Sequence, residues 1–350
     1  MEDAGHRSCV EAALNFETGE RVPINNFALA TAAHSAGYSV EAARWDPGIS
    51  SRVSVDYSLK TLSDFVKPIL DSQVPFLDLG MKVDFPENDY GRVPKSIIKM
   101  AGDIEELELF DPYDPKTCPN YTRVFTESIR KTAEILPEDL HICGLSWGPI
   151  TTAGYLMGVE NMLMATFTDP DLVKSLTKKA SGLVSSMQRC MIDSGSTVMW
   201  MADPTSSEDI IPPDMFSEYS KPYIREVVRD VRAMDKTVPA FIHICGNTLD
   251  TMEQFPEIGA DCLSYDHAVN TEKALRKSRG KFTLMGNIDP VNQIMMGTPE
   301  SVMSESRKLL ETADGRGGFI LAPGCETPIT SPDENVLAMG KAVREWSRKS

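Results

Sequence analysis

The chain has 350 residues, of which 41% are hydrophobic, and its 51 Asp and Glu against 35 Lys and Arg give a formal net charge of −16. This charge repels phosphate backbones and anionic membrane surfaces, so neither nucleic acid nor a membrane is expected as a partner. The length allows either two ordinary domains or one large α/β barrel.

The first twenty residues contain neither a basic segment nor an apolar run, so they do not predict a signal peptide. The seven cysteines form an odd and sparse set. Disulfides are rare in reducing compartments, and an odd count leaves at least one thiol unpaired. The sequence therefore predicts a cytoplasmic protein whose thiols are free or bound to a metal.

Short apolar runs alternate with longer amphipathic stretches along the chain, without a linker or a repeat of fixed period. This alternation is typical of β/α units around a parallel sheet. The predicted strands span residues 21–29, 74–81, 140–148, 197–203, 240–246, 261–266, 282–289 and 318–325. The predicted helices include residues 121–136, 170–194, 213–235, 271–279 and 299–313. These eight strands with helical crossovers predict an α/β fold of the (β/α)8 TIM-barrel type, with N-terminal elaborations, in a single domain over residues 1–350.

Polar and thiol side chains stand at the carboxyl ends of most of the predicted strands. In a barrel of this type, those ends meet on one face and carry the chemistry. A purely structural barrel would not need polar groups there, so this face is the predicted active site. The residues concerned are Asp203, His243, Cys245, Asp266, Asn287, Asp289 and Cys325.

The segment AFIHICGN places an imidazole and a thiol on one face of a strand, because side chains alternate along a strand. His243 and Cys245 then point together into the barrel mouth, and Cys325, in the turn after the last predicted strand, offers a third ligand. Gly324 gives this turn the freedom to aim the sulfur. One nitrogen and two thiolates select zinc and leave a fourth position open for chemistry. The alternative is that these residues are ordinary core, where cysteine is common.

A second His-x-Cys-Gly motif occurs at His141 and Cys143. Together with Asp139 it has the Asp-x-His-x-x-Gly spacing that is found in the cobalt-binding loop of corrinoid proteins. That loop needs a preceding strand, whereas here a helix end precedes the motif. We therefore predict that both residues lie inside the barrel.

Several motifs together resemble the uroporphyrinogen decarboxylase superfamily, and within it the cobamide-dependent methyltransferase branch. They are AFIHICGN, LMGNIDP, GFILAPGC with the following TPITSPDENVLAM, MWMADPTSSEDIIPPDMF and GPITTAGYLMGVENML, and the resemblance covers roughly residues 140–345. It implies a (β/α)8 barrel, with zinc held by His243, Cys245 and Cys325. It also implies a corrinoid that a partner protein supplies, and a small thiol or methylated compound as substrate.

Two departures weigh against the decarboxylases of this superfamily. The region RVPINNFALATAAHSAGYS lacks their arginine-containing segment, and Pro323-Gly324-Cys325 stands where they have Gly-His-Gly. A substrate with many carboxylates would also be repelled by this acidic chain. Porphyrinogen decarboxylation is therefore the weaker alternative, and a module that binds a corrinoid protein without catalysis is another.

The methyl group could move in either direction. Zinc could activate a thiol that attacks a methylcorrinoid, or it could polarise a methylated heteroatom that a Co(I) corrinoid attacks. Asp203, Asp289 and Glu326 are the predicted catalytic carboxylates, with Asp266 as a further candidate, although the two Asp-Pro pairs are equally typical of turns and helix caps. Trp147 and Trp200 either line a substrate pocket or belong to the core.

Overall fold

Seven parallel strands form one sheet in the computed structural model, which describes residues 5–137, 139–314 and 317–347. Each strand pairs with the next one along the chain, so the sheet order is the chain order. The strands are Phe65–Val66 (β1), His141–Trp147 (β2), Val198–Ala202 (β3), Ala240–Ile244 (β4), Cys262–Tyr265 (β5), Thr283–Ile288 (β6) and Phe319–Pro323 (β7).

Helices cover the outside of the sheet and connect its strands. The first seven lie before β2, on either side of β1 in the chain, and the others lie between the later strands or after β7. They are His6–Leu14 (α1), Ala30–Ser35 (α2), Val40–Trp45 (α3), Pro47–Lys60 (α4), Pro75–Asp78 (α5), Ala101–Glu106 (α6), Arg123–Ile135 (α7), Pro149–Met157 (α8), Val159–Thr168 (α9), Pro170–Asp193 (α10), Pro213–Met215 (α11), Lys221–Met234 (α12), Thr271–Ser278 (α13), Pro299–Ala313 (α14) and Asp333–Ser347 (α15).

A short segment around Ile24 lies between β7 and β1 and joins the two edges of the sheet. Ile24 forms a parallel bridge with Leu321 of β7, and the N–H of Asn25 donates to the Leu321 carbonyl at 2.9 Å. On the other side, the N–H of Asp64 donates to the Ile24 carbonyl at 2.8 Å. The strand predicted over residues 21–29 is thus reduced to one bridge, but it stands at the eighth position of the barrel. The predicted TIM-barrel class is confirmed.

The carboxylate of Asp64 fixes this junction from inside. It is fully buried, and it accepts hydrogen bonds from the Arg21 guanidinium at 2.8 Å, the Ile24 N–H at 2.7 Å and the His6 ring at 2.7 Å. A buried charge is stable only when it is paired and hydrogen-bonded, and these partners supply both. His6 and Arg21 are thereby tied to the residue that directly precedes β1.

The prediction of a strand over residues 74–81 is wrong. Pro75–Asp78 is a short helix, which begins at the proline because the fixed φ of that residue suits a first helical turn. The barrel strand lies earlier, at Phe65–Val66, and pairs with β2. It is two residues long and is followed by the fully buried Lys67, so it lacks the long apolar run that identifies a strand in a sequence.

The remaining predicted strands and helices agree with the structure to within a few residues. One difference is that the predicted helix over 213–235 contains a π-helical turn at Phe216–Ser220, between α11 and α12. His141 and Cys143 are buried in the barrel, as predicted, and His141 lies at the amino end of β2. Among the helices in the described ranges, none combines the length and the apolar character that a membrane span requires.

Candidate metal centre

Three side chains converge at the carboxyl ends of β4 and β7. His243 belongs to β4, Cys245 directly follows that strand, and Cys325 lies two residues after the end of β7. The His243 Nε2 atom lies 3.0 Å from the Cys245 sulfur and 3.6 Å from the Cys325 sulfur, and the two sulfurs are 3.5 Å apart. The structure therefore brings together the three residues that the sequence predicted as metal ligands, and we call them the His-Cys-Cys cluster.

The turn after β7 approaches the end of β5 so closely that only glycine fits. A Cβ atom on Gly324 would lie 2.3 Å from the backbone nitrogen of His267. The N–H of Gly324 donates to the carbonyl of Ile288, at the end of β6, at 2.8 Å. The glycine therefore serves a close backbone approach, and this approach carries Cys325 to the cluster.

The orientation of the His243 ring is fixed by two neighbours. Its Nδ1 atom lies 3.0 Å from the hydroxyl oxygen of Ser264 on β5, and its ring packs edge-on against Phe27 with 5.0 Å between the centroids. The ring is buried. A hydrogen bond at Nδ1 leaves Nε2 available on the side of the two sulfurs, which is the arrangement that metal-binding histidines have.

The hydrogen bond between the two thiols of the cluster shifts their pKa values in opposite directions. The hydrogen bond from Cys245 lowers the pKa of the Cys325 thiol, and the nearby His243 lowers that pKa further. The same hydrogen bond raises the pKa of Cys245, and burial raises it as well. These contacts favour the thiolate form of Cys325, and thiolate is the form that binds a metal.

The geometry of the cluster fits a zinc ion. Tetrahedral coordination, with about 2.3 Å for Zn–S and about 2.0–2.1 Å for Zn–N, separates ligand atoms by about 3.4–3.8 Å. The three ligand atoms lie within 4.8 Å of one another, and their closest separations are at or slightly below the tetrahedral values. The described residues contain no fourth His, Cys, Asp or Glu in this group. Three protein ligands leave one position for a reactant.

A cleft of about 250 Å³ opens beside the cluster. Its walls are mainly apolar and aromatic, and the polar groups are few. The described residues that line it are Phe27, Leu29, Leu70, Ser72, Gln73, Tyr90, Leu145, Trp147, Tyr155, Ala202, Pro204, His243, Cys245, Cys325 and Glu326. We call this space the cluster cleft.

Of the three predicted catalytic carboxylates, Glu326 lines the cluster cleft. Its Oε1 atom accepts a hydrogen bond from the hydroxyl of Tyr90 and a long one, at 3.4 Å, from the N–H of Ala30. Burial raises the pKa of the Glu326 carboxyl to about 7. Glu326 therefore lies in the cleft with a raised pKa, and a catalytic role for it stays a prediction.

Asp203 follows β3 but turns toward a helix end. It is fully buried, and it accepts hydrogen bonds from the N–H of Thr151 at 2.9 Å and the hydroxyl of Ser206 at 3.0 Å. Thr151 belongs to the first turn of α8, where a carboxylate stabilises the helix dipole. Burial raises the pKa of Asp203 to about 6. Its neighbours Ala202 and Pro204 line the cluster cleft, whereas Asp203 does not.

Asp289 caps the helical turn that follows β6. Its carboxylate accepts hydrogen bonds from the N–H groups of Val291 and Asn292, both at 2.9 Å. Asp266, the further candidate, accepts the N–H of Ala268 at 2.9 Å. Neither carboxylate lines the cluster cleft. Their contacts with backbone N–H groups are those of caps and turns, and both carboxylates also lie beside the His267 ring, at 2.8 Å for Asp266 and 3.8 Å for Asp289. A catalytic role for Asp289 stays a prediction.

Sequence reasoning missed several residues of the cleft. Tyr90, Gln73 and Tyr155 come from segments outside the strand ends, and the Gln73 amide donates to the Tyr155 hydroxyl at 3.0 Å. The interior Lys67 was also missed, although a lone lysine in the apolar stretch DFVKPIL was a signal for it. Of the two tryptophans considered, Trp147 lines the cleft and Trp200 is fully buried in the core.

A parallel β/α barrel that collects metal-ligating side chains at the carboxyl ends of its strands defines a barrel enzyme with a candidate metal centre. The chain belongs to the uroporphyrinogen decarboxylase (URO-D) family, whose model matches residues 6–346. The predicted superfamily is thereby confirmed.

Known relatives include both branches of this family. A methylcobamide:CoM methyltransferase of Methanosarcina acetivorans is 26% identical over 254 residues, which cover 73% of this chain and 71% of the relative. A uroporphyrinogen decarboxylase of Trichodesmium erythraeum is 24% identical over 306 residues, which cover 84% and 82%. A solved methyltransferase from Methanosarcina mazei has the same fold, with a TM-score of 0.87 and 21% identity over 98% of this chain and 99% of that one. The predicted resemblance to the methyltransferase branch is confirmed, and so is the prediction of an enzyme.

Proposed function

We propose that the chain transfers a methyl group between a corrinoid, carried by a partner protein, and a small substrate. The observation that carries the proposal is the convergence of His243, Cys245 and Cys325 beside a cleft at the carboxyl ends of the strands. The similarity to methylcobamide:CoM methyltransferases supports it.

In this proposal the His-Cys-Cys cluster holds zinc. When bound there, zinc supplies a Lewis acid that favours the thiolate form of a thiol substrate, or that assists a methylated heteroatom as a leaving group. Ser264 holds the His243 ring with Nε2 toward the two sulfurs. Glu326 accepts the proton of a thiol, or returns a proton in the opposite direction, at a carboxylate oxygen beside the cleft. The apolar walls exclude water from the transfer.

The size of the cleft indicates how the corrinoid is presented. A volume of about 250 Å³ lies just below the range of small-molecule sites, which is about 300–1,000 Å³. A small thiol or methylated compound fits this space, whereas a corrin macrocycle does not. The partner protein therefore presents its corrinoid at the rim of the cleft, and the reacting groups meet in line there.

The decarboxylase alternative finds less support at this site. Porphyrinogen substrates carry several carboxylates, and no Lys or Arg lies among the described residues that line the cluster cleft. An anionic substrate would meet Glu326 in the cleft, and Lys67, whose charge acts on Glu326, does not line the cleft. A module that binds a corrinoid protein without catalysis differs in a measurable way, because it would transfer no methyl group.

The decisive experiment follows cobalamin absorbance in purified protein of known zinc content. We expect stoichiometric zinc, and either demethylation of methylcobalamin by a small thiol or methylation of cob(I)alamin by a methylated compound. Absence of zinc, or absence of both spectral changes with zinc present, would contradict the proposal. Turnover of a porphyrinogen without metal would instead favour the decarboxylase alternative.

A further inference from the structure

Gln73 and Tyr155 lie across the cluster cleft from the His-Cys-Cys cluster. The barrel has eight positions when the Ile24 segment is counted as the first. Gln73 follows β1 and Tyr155 belongs to the helix after β2, which are the second and third positions, whereas the cluster stands at β4 and β7, the fifth and eighth. These two pairs of positions are centred on opposite sides of the ring. A small molecule in the cleft therefore has one end at the cluster and the other end at Gln73 and Tyr155.

These two side chains offer one hydrogen-bond acceptor and one donor to the cleft. The Gln73 Nε2 atom donates to the Tyr155 hydroxyl oxygen at 3.0 Å. Among the described residues, none donates to Gln73 Oε1 and none accepts the proton of the Tyr155 hydroxyl. The hydroxyl of Ser72, which also lines the cleft, has no hydrogen-bond partner in the described chain either. Polar atoms in a mainly apolar space are stabilised when a ligand satisfies them, so this end of the cleft suits a hydrogen-bonding group.

A buried ion pair behind the cleft wall holds Gln73 in place. The Asp71 carboxylate accepts hydrogen bonds from the Gln73 N–H at 3.1 Å, the Gly91 N–H at 2.8 Å and the Arg44 Nε–H at 2.7 Å. Asp71 and Arg44 are both buried, and their opposite charges offset each other. The wall therefore presents neutral polar atoms in a fixed arrangement, and binding requires little further ordering of these side chains.

We propose that the cluster cleft selects a small substrate whose end remote from the reacting heteroatom is a neutral group that both donates and accepts a hydrogen bond. Mercaptoalcohols and their S-methyl forms are the simplest class, because a hydroxyl donates to Gln73 Oε1 and accepts the proton of Tyr155. A sulfonate or carboxylate has no proton to donate, and no Lys or Arg lies among the described lining residues to pair with its charge. An ammonium group has no lone pair for the Tyr155 proton. This inference rests on the proposed function, because it takes the cluster as the reacting end.

The test compares each mercaptoalcohol with the alkanethiol in which a methyl group replaces the hydroxyl. The pairs are 2-mercaptoethanol with 1-propanethiol and 3-mercapto-1-propanol with 1-butanethiol, and titration calorimetry gives their dissociation constants on zinc-loaded wild-type protein and on Tyr155→Phe. Because each ligand is compared between the two proteins, its own hydrophobicity and acidity cancel. We expect Tyr155→Phe to weaken the mercaptoalcohol that reaches the hydroxyl by about three- to tenfold, the effect of one neutral hydrogen bond, and to leave the alkanethiols within about twofold.

Tyr38→Phe is the matched control, because Tyr38 is exposed and does not line the cleft, and it should leave all the constants unchanged. A second measurement needs no variant, so it decides the matter even if Tyr155→Phe is unstable. On wild-type protein, 2-mercaptoethanesulfonate should bind about tenfold or more weakly than 2-mercaptoethanol, because the cleft wall offers its charge no cation.

Three results would each overturn the inference. They are a sulfonate that binds wild type as tightly as the mercaptoalcohol does, a Tyr155→Phe variant that weakens mercaptoalcohols and alkanethiols equally, and the absence of binding for every thiol. Methyl transfer with methylcobalamin and cob(I)alamin is recorded separately. Hydroxyl selectivity without transfer in either direction would refute the proposed function and leave the selectivity standing, whereas transfer without selectivity would do the reverse.

Discussion

Replacing Ser264 with alanine tests whether the His243 ring is built to hold a metal. Ser264 is fully buried, and its hydroxyl oxygen lies 3.0 Å from His243 Nδ1, which has no other described hydrogen-bond partner. Ser264→Ala leaves that buried N–H without an acceptor, at a cost of about 1–3 kcal/mol. Loss of such a partner typically weakens metal binding by about 10–100-fold, which corresponds to about 1.4–2.8 kcal/mol. The two magnitudes agree, so we expect zinc affinity to fall within that range.

The assay is a competition for zinc between the protein and a chelator of known affinity. Ser306→Ala is the matched control, because Ser306 is also fully buried and its hydroxyl donates to the Val302 carbonyl within α14 at 2.7 Å, away from the cluster. The control should bind zinc as tightly as wild type does. The reasoning is refuted if Ser264→Ala keeps wild-type zinc affinity, or if both variants lose affinity equally.

Three further changes test the ligands, the barrel junction and a buried carboxyl. Cys245→Ala and Cys325→Ala each remove one ligand atom, so we expect both variants to lose stoichiometric zinc and methyl transfer; a variant that kept both would contradict the assignment. Asp64→Asn removes the charge of a fully buried carboxylate that pairs with Arg21, and should lower the free energy of unfolding in urea by about 3–5 kcal/mol. Asp139→Asn, at an exposed ion pair, should change it by about 0–1 kcal/mol, and equal losses would count against the junction. The pKa of Asp203 is raised from 3.8 to about 6, so the stability that its proton contributes is full below pH 3.8 and is lost as the pH rises through about 6. Asp203→Asn should therefore remove a decline of about 3 kcal/mol over that interval, and an unchanged pH profile would contradict the assignment.

The later two thirds of the barrel could be predicted from the sequence because its strands are continuous apolar runs. The strand with His243 alternates regularly, so its inward face, and with it the ligand pair His243 and Cys245, followed from periodicity. The place of the third ligand, Cys325, followed from the rule that the carboxyl ends of parallel strands meet on one face of the barrel. Strand periodicity is a local signal, and the meeting of the strand ends is the one long-range rule that it required.

The first barrel positions and the cleft walls could not be predicted in this way. β1 has two residues and ends at a buried lysine, and the position of Ile24 depends on its partner Leu321, which no local pattern indicates. The aromatic residues Tyr90 and Tyr155 reach the cleft from loops and helices, where no periodicity marks an inward direction. Asp203 and Asp289 stand at strand ends, as catalytic residues do, but their hydrogen bonds are those of helix ends.

The bridge between Ile24 and Leu321 also determines when the barrel can close during synthesis of the chain. Thr31 donates to the carbonyl of Thr327, 296 positions later, so the junction joins segments that are far apart in the sequence. Cys325 emerges from the ribosome only after Leu321, at the same stage as the residues that close the barrel. A nascent chain that stops earlier has two metal ligands and an unpaired sheet edge, which is prone to pair with other chains. Ring closure and the complete ligand set thus arise together, once residues 321–325 have been synthesised.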